Sequence, residues 1–281
     1  MIKAIFFDID GTLITSNNYV LKSTKQSLIE LKKQGYIIGI ATSRGPSMLP
    51  TAVKRLPFDY WVMFNGQLIY DKDKKAIYRH PLDEYDLNQI KRYARKQKSR
   101  YLLQTEFHHY GSAMMKVAQN EWVLPGVHFM KKYIDEEWIQ SAHRLRLLIP
   151  DGKNYQAHDE AVYQVTMMQP KQLDQRLKKQ ITSLTITRSN PFTVEIVSAN
   201  ISKSNGIRKA LLRDHLSLDH VLFFGDNYND MEVMEKVKYG VAMGNAIPAL
   251  QKKASYVTTA NNKDGIYHAL CHFGLIKRRE K

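Results

Sequence analysis

Short, almost unbroken apolar runs, each followed by an amphipathic stretch, constrain this chain more than any other feature. Residues 3–7 (KAIFF), 37–41 (IIGIA), 60–64 (YWVMF) and 220–224 (HVLFF) are too short for helices and carry apolar side chains at successive positions. That is the pattern of strands buried on both faces, as in a parallel sheet. Between the first two runs a helix is expected, capped by Ser23 or Thr24, carrying Leu28, Ile29 and Leu31 and stopping near Gly35. A second helix around 47–55 should end before Pro57. Beyond 220–224 the rhythm continues with a helix at 229–237, a strand at 239–242, a helix at 248–253, a strand at 255–258 and a last helix from about Asp264. Strand–helix alternation of this kind predicts an α/β fold on a parallel sheet.

The middle of the chain breaks the rhythm. Residues 86–98 read as a charged amphipathic helix, and 101–105, 144–149, 162–168, 184–188 and 192–197 as strands, with a Lys-rich helix at 170–182. This is an α+β pattern. It predicts a second domain, residues 84–189, inserted into a first made of 1–83 and 190–281, with the crossings near 83 and 190.

Composition narrows the functional classes. A chain of 281 residues, 43% hydrophobic, can bury two modest cores. Its single cysteine, Cys271, allows no internal disulfide and no Cys-rich zinc framework, which points to a reduced, cytoplasmic setting. Asp8 and Asp10 cut the N-terminal apolar run too soon for a signal peptide. No stretch approaches the roughly 18 apolar residues of a membrane helix, so no membrane partner is expected. The net charge of +15 is shared between the inserted segment and its flanks. That favours solubility and attraction of anionic substrates over a nucleic-acid partner. A monomer or weak homodimer is expected.

The residues that carry chemistry follow the buried strands. Asp8-Ile9-Asp10-Gly11-Thr12-Leu13 comes directly after the first, where open α/β sheets bind ligands. Residues 8 and 10 share a side if strand geometry persists, and Gly11 lets the chain turn away. Two carboxylates in one cleft can divide the labour, one attacking and the other exchanging protons. Gly225-Asp226-Asn227-Tyr228-Asn229-Asp230 follows the 220–224 strand and offers oxygen ligands to a hard cation. A helix start there puts Asp226, Asn229 and Asp230 on one face, although Asp and Asn also open helices simply as caps. Thr42, in Ala41-Thr42-Ser43-Arg44-Gly45, could hold a phosphate oxygen beside free backbone N–H groups. Lys203, in Ser202-Lys203-Ser204-Asn205-Gly206, could neutralise phosphate charge.

Asp8/Asp10, Thr42, Lys203 and Asp226/Asp230 occur in the order of the four motifs of the haloacid dehalogenase superfamily, and the chain resembles that superfamily over nearly its whole length. Within it the chain resembles the Cof-type subfamily, on the stretches FFDIDGTL (6–13), ATSR (41–44), FNGQLI (64–69), SKSNGI (202–207), FGDNYNDMEV (224–233), YGVAMGNAIP (239–248) and NNKDGI (261–266). Ser43 and Ser204 stand where members often carry Gly.

The resemblance implies a Rossmann-like core with an α+β cap, and a magnesium-dependent phosphatase acting on small phosphorylated metabolites. It implies that Asp8 attacks phosphorus to form an aspartyl-phosphate and that Asp10 serves as acid and then base. Mg2+ would be held by Asp8, the Asp10 carbonyl and Asp226, with Asn229 and Asp230 in the inner or outer shell. Thr42 and Lys203 would hold phosphoryl oxygens, with Gly11, Ser43, Arg44, Asn65 and Gly66 around the phosphate or substrate. Candidate cap contacts are His108, His109, Tyr110 and Trp122, although a solvated turn at 108–109 and a core role for Trp122 are the simpler expectations. Asn245 and Asn261 are expected to brace loops. A phosphomutase on the same scaffold and a non-catalytic anion- or nucleic-acid-binding protein are the rival functions.

His268 and His272 lie i, i+4 on the last helix with Cys271 beside them, but Ala269 replaces the glutamate that a zinc-protease motif needs. The terminal Lys277-Arg278-Arg279 reads as a solvated tail with scope for a weak anionic contact.

Overall fold

A computed structural model of the chain describes residues 1–111, 160–190 and 192–278. The strand expected at 144–149, Trp122 and Arg279 lie outside the described residues. The chain forms two compact units: Met1–Arg44, Leu49–Arg79 and Asn200–Lys281 in one, Gly45–Met48 and His80–Ala199 in the other.

The first unit holds an eight-stranded sheet. Its strands are β1 (Ala4–Phe7), β2 (Ile37–Ala41), β3 (Tyr60–Met63), β4 (Leu68–Tyr70) and β5 (Ala76–Arg79), joined by three more from the later part of the chain. Helix α1 (Lys22–Lys33) connects β1 to β2, and the short α2 (Thr51–Lys54) connects β2 to β3. Every residue of β1 and of β3 is buried, as their apolar runs require. Two details of α1 differ from expectation. Ser23 and Thr24 lie inside the helix, Leu21 occupies the cap position without a side-chain bond, and the Ser23 hydroxyl instead bonds Asp264. Leu28 and Leu31 face the core, whereas Ile29, one step round the helix, is half exposed. The helix expected at 47–55 is a 3₁₀ turn at Pro46–Met48 followed by α2, because Pro50 lies between them.

The second unit holds β6 (Tyr101–Thr105), β7 (His109–Gly111), β8 (Val162–Met168), β9 (Leu184–Asn190) and β10 (Thr193–Ser198), an antiparallel sheet in the order β7-β6-β8-β10-β9. Helices α3 (Glu84–Gln97) and α4 (Asp174–Gln180) belong to it. Asp83 caps α3 by accepting the Asp86 N–H at 2.7 Å. One face of the sheet, with Leu103, Val165, Met167, Val194 and Ile196, packs with Leu87, Ile90, Ala94 and Leu177 of the helices. The alternate positions include Gln104, Gln164, Thr166 and Glu195, and Gln164 donates to Gln104 across the ladder at 2.8 Å. The two units divide at Arg79/His80 and Ala199/Asn200. The Leu82 N–H bonds Val162 of β8, and β10 is a full member of this sheet. The expected turn at 108–109 is different too: His109 opens β7 and is buried, His108 pairs with Glu160, and Tyr110 joins the apolar cluster.

Back in the first unit, helix α5 (Lys203–Ala210) leads to β11 (Val221–Gly225), α6 (Met231–Lys236), β12 (Tyr239–Ala242), α7 (Pro248–Gln251), β13 (Tyr256–Val257) and α8 (Gly265–His272). The sheet runs β13-β12-β11-β1-β2-β3-β4-β5, parallel from β13 to β3 and antiparallel beyond. β1 and β11 are therefore adjacent at the centre, and the residues that leave their carboxyl ends meet. No helix among the described residues is long and apolar enough to cross a membrane.

Candidate active site

Asp8 leaves β1 with its N–H bonded to the Phe224 carbonyl of β11 at 2.9 Å, so the two strand ends are in register where the acidic motifs begin. Its buried carboxylate accepts from Lys203 Nζ at 2.6 Å, and the same ammonium donates to Asp230 at 2.7 Å. Lys203 is 2% exposed. Burial alone would lower its pKa, but Asp230 and Asp8 outweigh this and hold it above the usual lysine range. Burial pushes the Asp8 carboxyl up to about 7; Lys203 opposes the shift, and Asp230 and Asp10 add to it.

Lys203 reaches this position because it begins α5. Ser202 is the N-cap, accepting from the Asn205 N–H, and the hydroxyls of Ser202 and Ser204 both donate to Glu232 of α6 at 2.9 and 2.8 Å. Ser204, the departure from the usual glycine, thus has a carboxylate to satisfy it. Gly66 is a point of backbone approach: at φ 108° a Cβ there would lie 2.6 Å from the Ser202 carbonyl oxygen. Its immediate environment is therefore the start of α5 rather than open cleft.

Asp230 has both oxygens engaged. One takes Lys203, and the other accepts the N–H groups of Asp226 and Asn227 at 2.9 and 3.1 Å. Asp226 accepts from the Thr12 hydroxyl at 3.4 Å. Asp8, Asp226 and Asp230 each offer an oxygen within 4.8 Å of the others, and all three are buried. The Asn229 Oδ1 is buried with no hydrogen-bond partner among the described residues. Gly11 turns at φ 77°, and a Cβ on it would meet an Asp226 carboxylate oxygen at 2.1 Å.

Asp10 is turned to Arg44. The guanidinium Nε and an Nη donate to its two carboxylate oxygens at 2.7 and 2.6 Å, a bidentate pair. Arg44, expected at the substrate, is thus engaged by a catalytic candidate, and it is 5% exposed. Thr42 is buried beside it and accepts the Arg44 N–H at 3.1 Å, which leaves its own hydroxyl proton to donate. Ser43 is half-buried. Asn65 is buried at φ 55° and bonds its N–H to the Thr42 carbonyl, tying the 64–66 turn to the 42–44 loop.

The structure adds a brace on the other side. Asn245 donates to the Gly11 carbonyl at 2.8 Å, Asn261 donates to the Ile14 carbonyl at 2.7 Å, and the Asn261 N–H bonds Asn245. The 11–14 turn is thereby held from the loops after β12 and β13. Thr12 and Glu232 have no role in the sequence reading. Thr12 sits inside a motif and could have been singled out, whereas the partners of Glu232 lie 28 and 30 residues away with no local signal.

The cluster fits a hard divalent cation. Asp8, Asp10, Asp226 and Asp230 face Lys203 and Arg44, which leaves a formal excess of two negative charges in a buried site. Asn229 adds an oxygen without a partner, the donor type such a cation prefers.

Comparison with known proteins agrees with this geometry. The family model for haloacid dehalogenase-like hydrolases matches residues 5–270. The Bacillus subtilis protein YkrA is 27% identical over 98% of this chain and 99% of its own length. The solved structure of the phosphatase BT1666 from Bacteroides thetaiotaomicron superposes with a TM-score of 0.81 at 22% identity, over 98% of this chain and 96% of that one. The structure of the sugar phosphatase BT4131 gives a TM-score of 0.79 at 23% identity, over 98% and 100%. With a strand-end aspartate pair, a buried lysine and a buried acidic cluster on a parallel sheet, the chain belongs to the haloacid dehalogenase-like hydrolases.

Proposed function

We propose that the protein is a magnesium-dependent phosphatase that hydrolyses small phosphomonoesters through an aspartyl-phosphate on Asp8. The observation that carries this reading is the meeting of Asp8, Lys203 and the Asp226–Asp230 loop at the ends of β1 and β11. Sugar phosphates are the favoured substrate class, in keeping with the sugar phosphatase whose fold the chain shares.

Asp8 is the nucleophile, buried and oriented by Lys203. Asp10 protonates the leaving oxygen and later takes a proton from the water that cleaves the acyl phosphate. To do so one of its oxygens must leave Arg44, which holds both in the geometry described. Lys203 and the Thr42 hydroxyl bind phosphoryl oxygens. Mg2+ would be held by the Asp8 carboxylate, the Asp10 carbonyl, Asp226 and Asn229; when bound it offsets the repulsion between carboxylate and phosphate and stabilises transition-state charge. Asp230, with its oxygens taken by Lys203 and two N–H groups, acts from outside that ligand set and positions both.

Phosphate release from p-nitrophenyl phosphate and a panel of sugar phosphates tests the reading. Release is expected with Mg2+, none with EDTA, and recovery on adding Mg2+ back. Folded, Mg2+-replete protein that releases no phosphate across the panel would sink the proposal.

Gly11→Ala offers a narrower check. The added methyl collides with Asp226 and strains a left-handed backbone. The half-saturating Mg2+ concentration for phosphate release should rise by roughly 10–100-fold, the scale seen when groups that orient metal ligands are disturbed. An unchanged Mg2+ titration would remove Asp226 from the metal site.

A further inference from the structure

The last strand and the last helix of the first unit line a half-open groove of about 600 Å³ that shares no residue with the Asp8 cleft. Helix α8 contributes Tyr267, His268, Cys271 and His272 from one face, and the opposite wall is β13 with Thr258 and Thr259. The size is that of small-molecule sites.

Its lining is specific in three ways. First, Tyr256 and His272 stack with ring centroids 3.9 Å apart and planes 8° from parallel. Phe273 meets both edge-on, at 5.9 and 5.1 Å, and braces the pair. A flat aromatic platform is therefore built before any ligand arrives. Second, none of the lining residues is Asp or Glu, whereas Arg278 is among them and makes no ion pair with any described residue. Third, polar groups in the wall are divided between structure and groove. The Thr258 hydroxyl is used by the Gly265 carbonyl at 2.7 Å, and the Thr259 hydroxyl by Lys263, so that His268 Nδ1 donates to the Thr259 oxygen at 3.1 Å. That leaves His268 Nε2 open as an acceptor, and the His272 ring nitrogens have no hydrogen bond among the described residues. The three-donor convergence within 4.8 Å seen at Asp8, Asp226 and Asp230 is not found for His268, Cys271 and His272 among the described residues. The chemistry is that of an aromatic anion site, not a metal site.

We propose that this groove is a second binding site, for a small planar aromatic carboxylate whose ring extends the Tyr256–His272 stack and whose carboxylate takes the Arg278 fork. Guanidinium and carboxylate match bidentately, which favours this anion over a spherical one.

The test is saturation-transfer NMR on the 281-residue chain with Mg2+, first without and then with excess inorganic phosphate, which on the proposed function competes for the Asp8 cleft. Three probes separate ring from charge: benzoate, benzamide and cyclohexanecarboxylate. Benzoate should bind saturably, with the neutral amide and the non-aromatic acid each about tenfold weaker. Arg278→Gln, at an exposed position that the fold does not need, should erase the preference for benzoate over benzamide. His272→Ala should weaken both aromatic probes. Absence of saturable benzoate binding up to about 10 mM overturns the proposal. So does binding that phosphate displaces or that survives both substitutions.

Discussion

Asp8→Asn should reduce turnover by about 10⁴-fold or more while raising the thermal stability of the metal-free protein near neutral pH. The kinetic half follows from removing a nucleophile that the remaining site cannot replace. Phosphate release, with deamidation excluded by mass spectrometry, measures it. The stability half follows from electrostatics. The Asp8 carboxyl ionises at about 7 in the folded protein, against 3.8 for the free group, chiefly because it is buried. Between those values the folded state binds more protons than the unfolded one, so stability falls as pH rises, and above about 7 the loss is complete. Asparagine keeps the shape and removes the charge. In EDTA its melting temperature should exceed that of the parent by a few degrees near pH 7.5, each kcal/mol being worth about 2–4 °C. Below about pH 4 the difference should close, because Asp8 is then protonated in both states. With saturating Mg2+ the order should reverse, since the ion stabilises only the protein that holds it well. Full activity in the variant would end the case for Asp8 as nucleophile; a lower melting temperature in EDTA would end the case for a strained carboxylate.

How much of this could be read from the chain depends on the range of each interaction. β1, β2 and β11 are legible because strands buried on both faces must be apolar at every position, and the sequence says so locally. The acidic motifs are legible for the same reason: Asp8 and Asp226 follow such runs, so the strand ends and the candidate ligands come together in the sequence itself. The β4–β5 hairpin is not legible. β5 is only half-buried, and the turn between the strands, Asp71-Lys72-Asp73-Lys74-Lys75, reads as a solvated loop. Nor is the partner of Arg44. The resemblance implies a place near the substrate, but the choice of Asp10 depends on how two loops 34 residues apart are brought side by side. The Ser202–Ser204–Glu232 cluster fails in the same way, since each residue looks like ordinary helix-end polarity until β11 and α6 bring Glu232 back to α5. Ile29 shows the converse limit: hydrophobicity names candidates for a helix face, but the 100° step decides which of two neighbours is buried.

Lys203→Met is expected to produce the largest loss of stability of any substitution in the site, and the loss should depend on the metal. The ammonium is buried between Asp8 and Asp230 at 2.6 and 2.7 Å. Methionine fills nearly the same volume, so packing changes little, but two buried carboxylates lose their counter-charge beside Asp226. Removing one partner of a buried pair costs about 3–5 kcal/mol, because the remaining charge is left without compensation. Denaturant unfolding in EDTA should show that loss. With Mg2+ it should shrink, as the divalent ion replaces part of the missing charge. Catalysis should not recover with stability: a phosphoryl-oxygen donor is gone, and kcat should stay about 10²–10³-fold below the parent at saturating Mg2+. The double variant Asp8→Asn/Lys203→Met decides whether the pair or the cavity is responsible. If Lys203 acts by compensating Asp8, removing the carboxylate should stabilise the Lys203→Met protein by clearly more than it stabilises the parent. Strict additivity of the two single effects would mean that Asp230 is the only significant partner, and that Asp8 does not owe its charged form to Lys203.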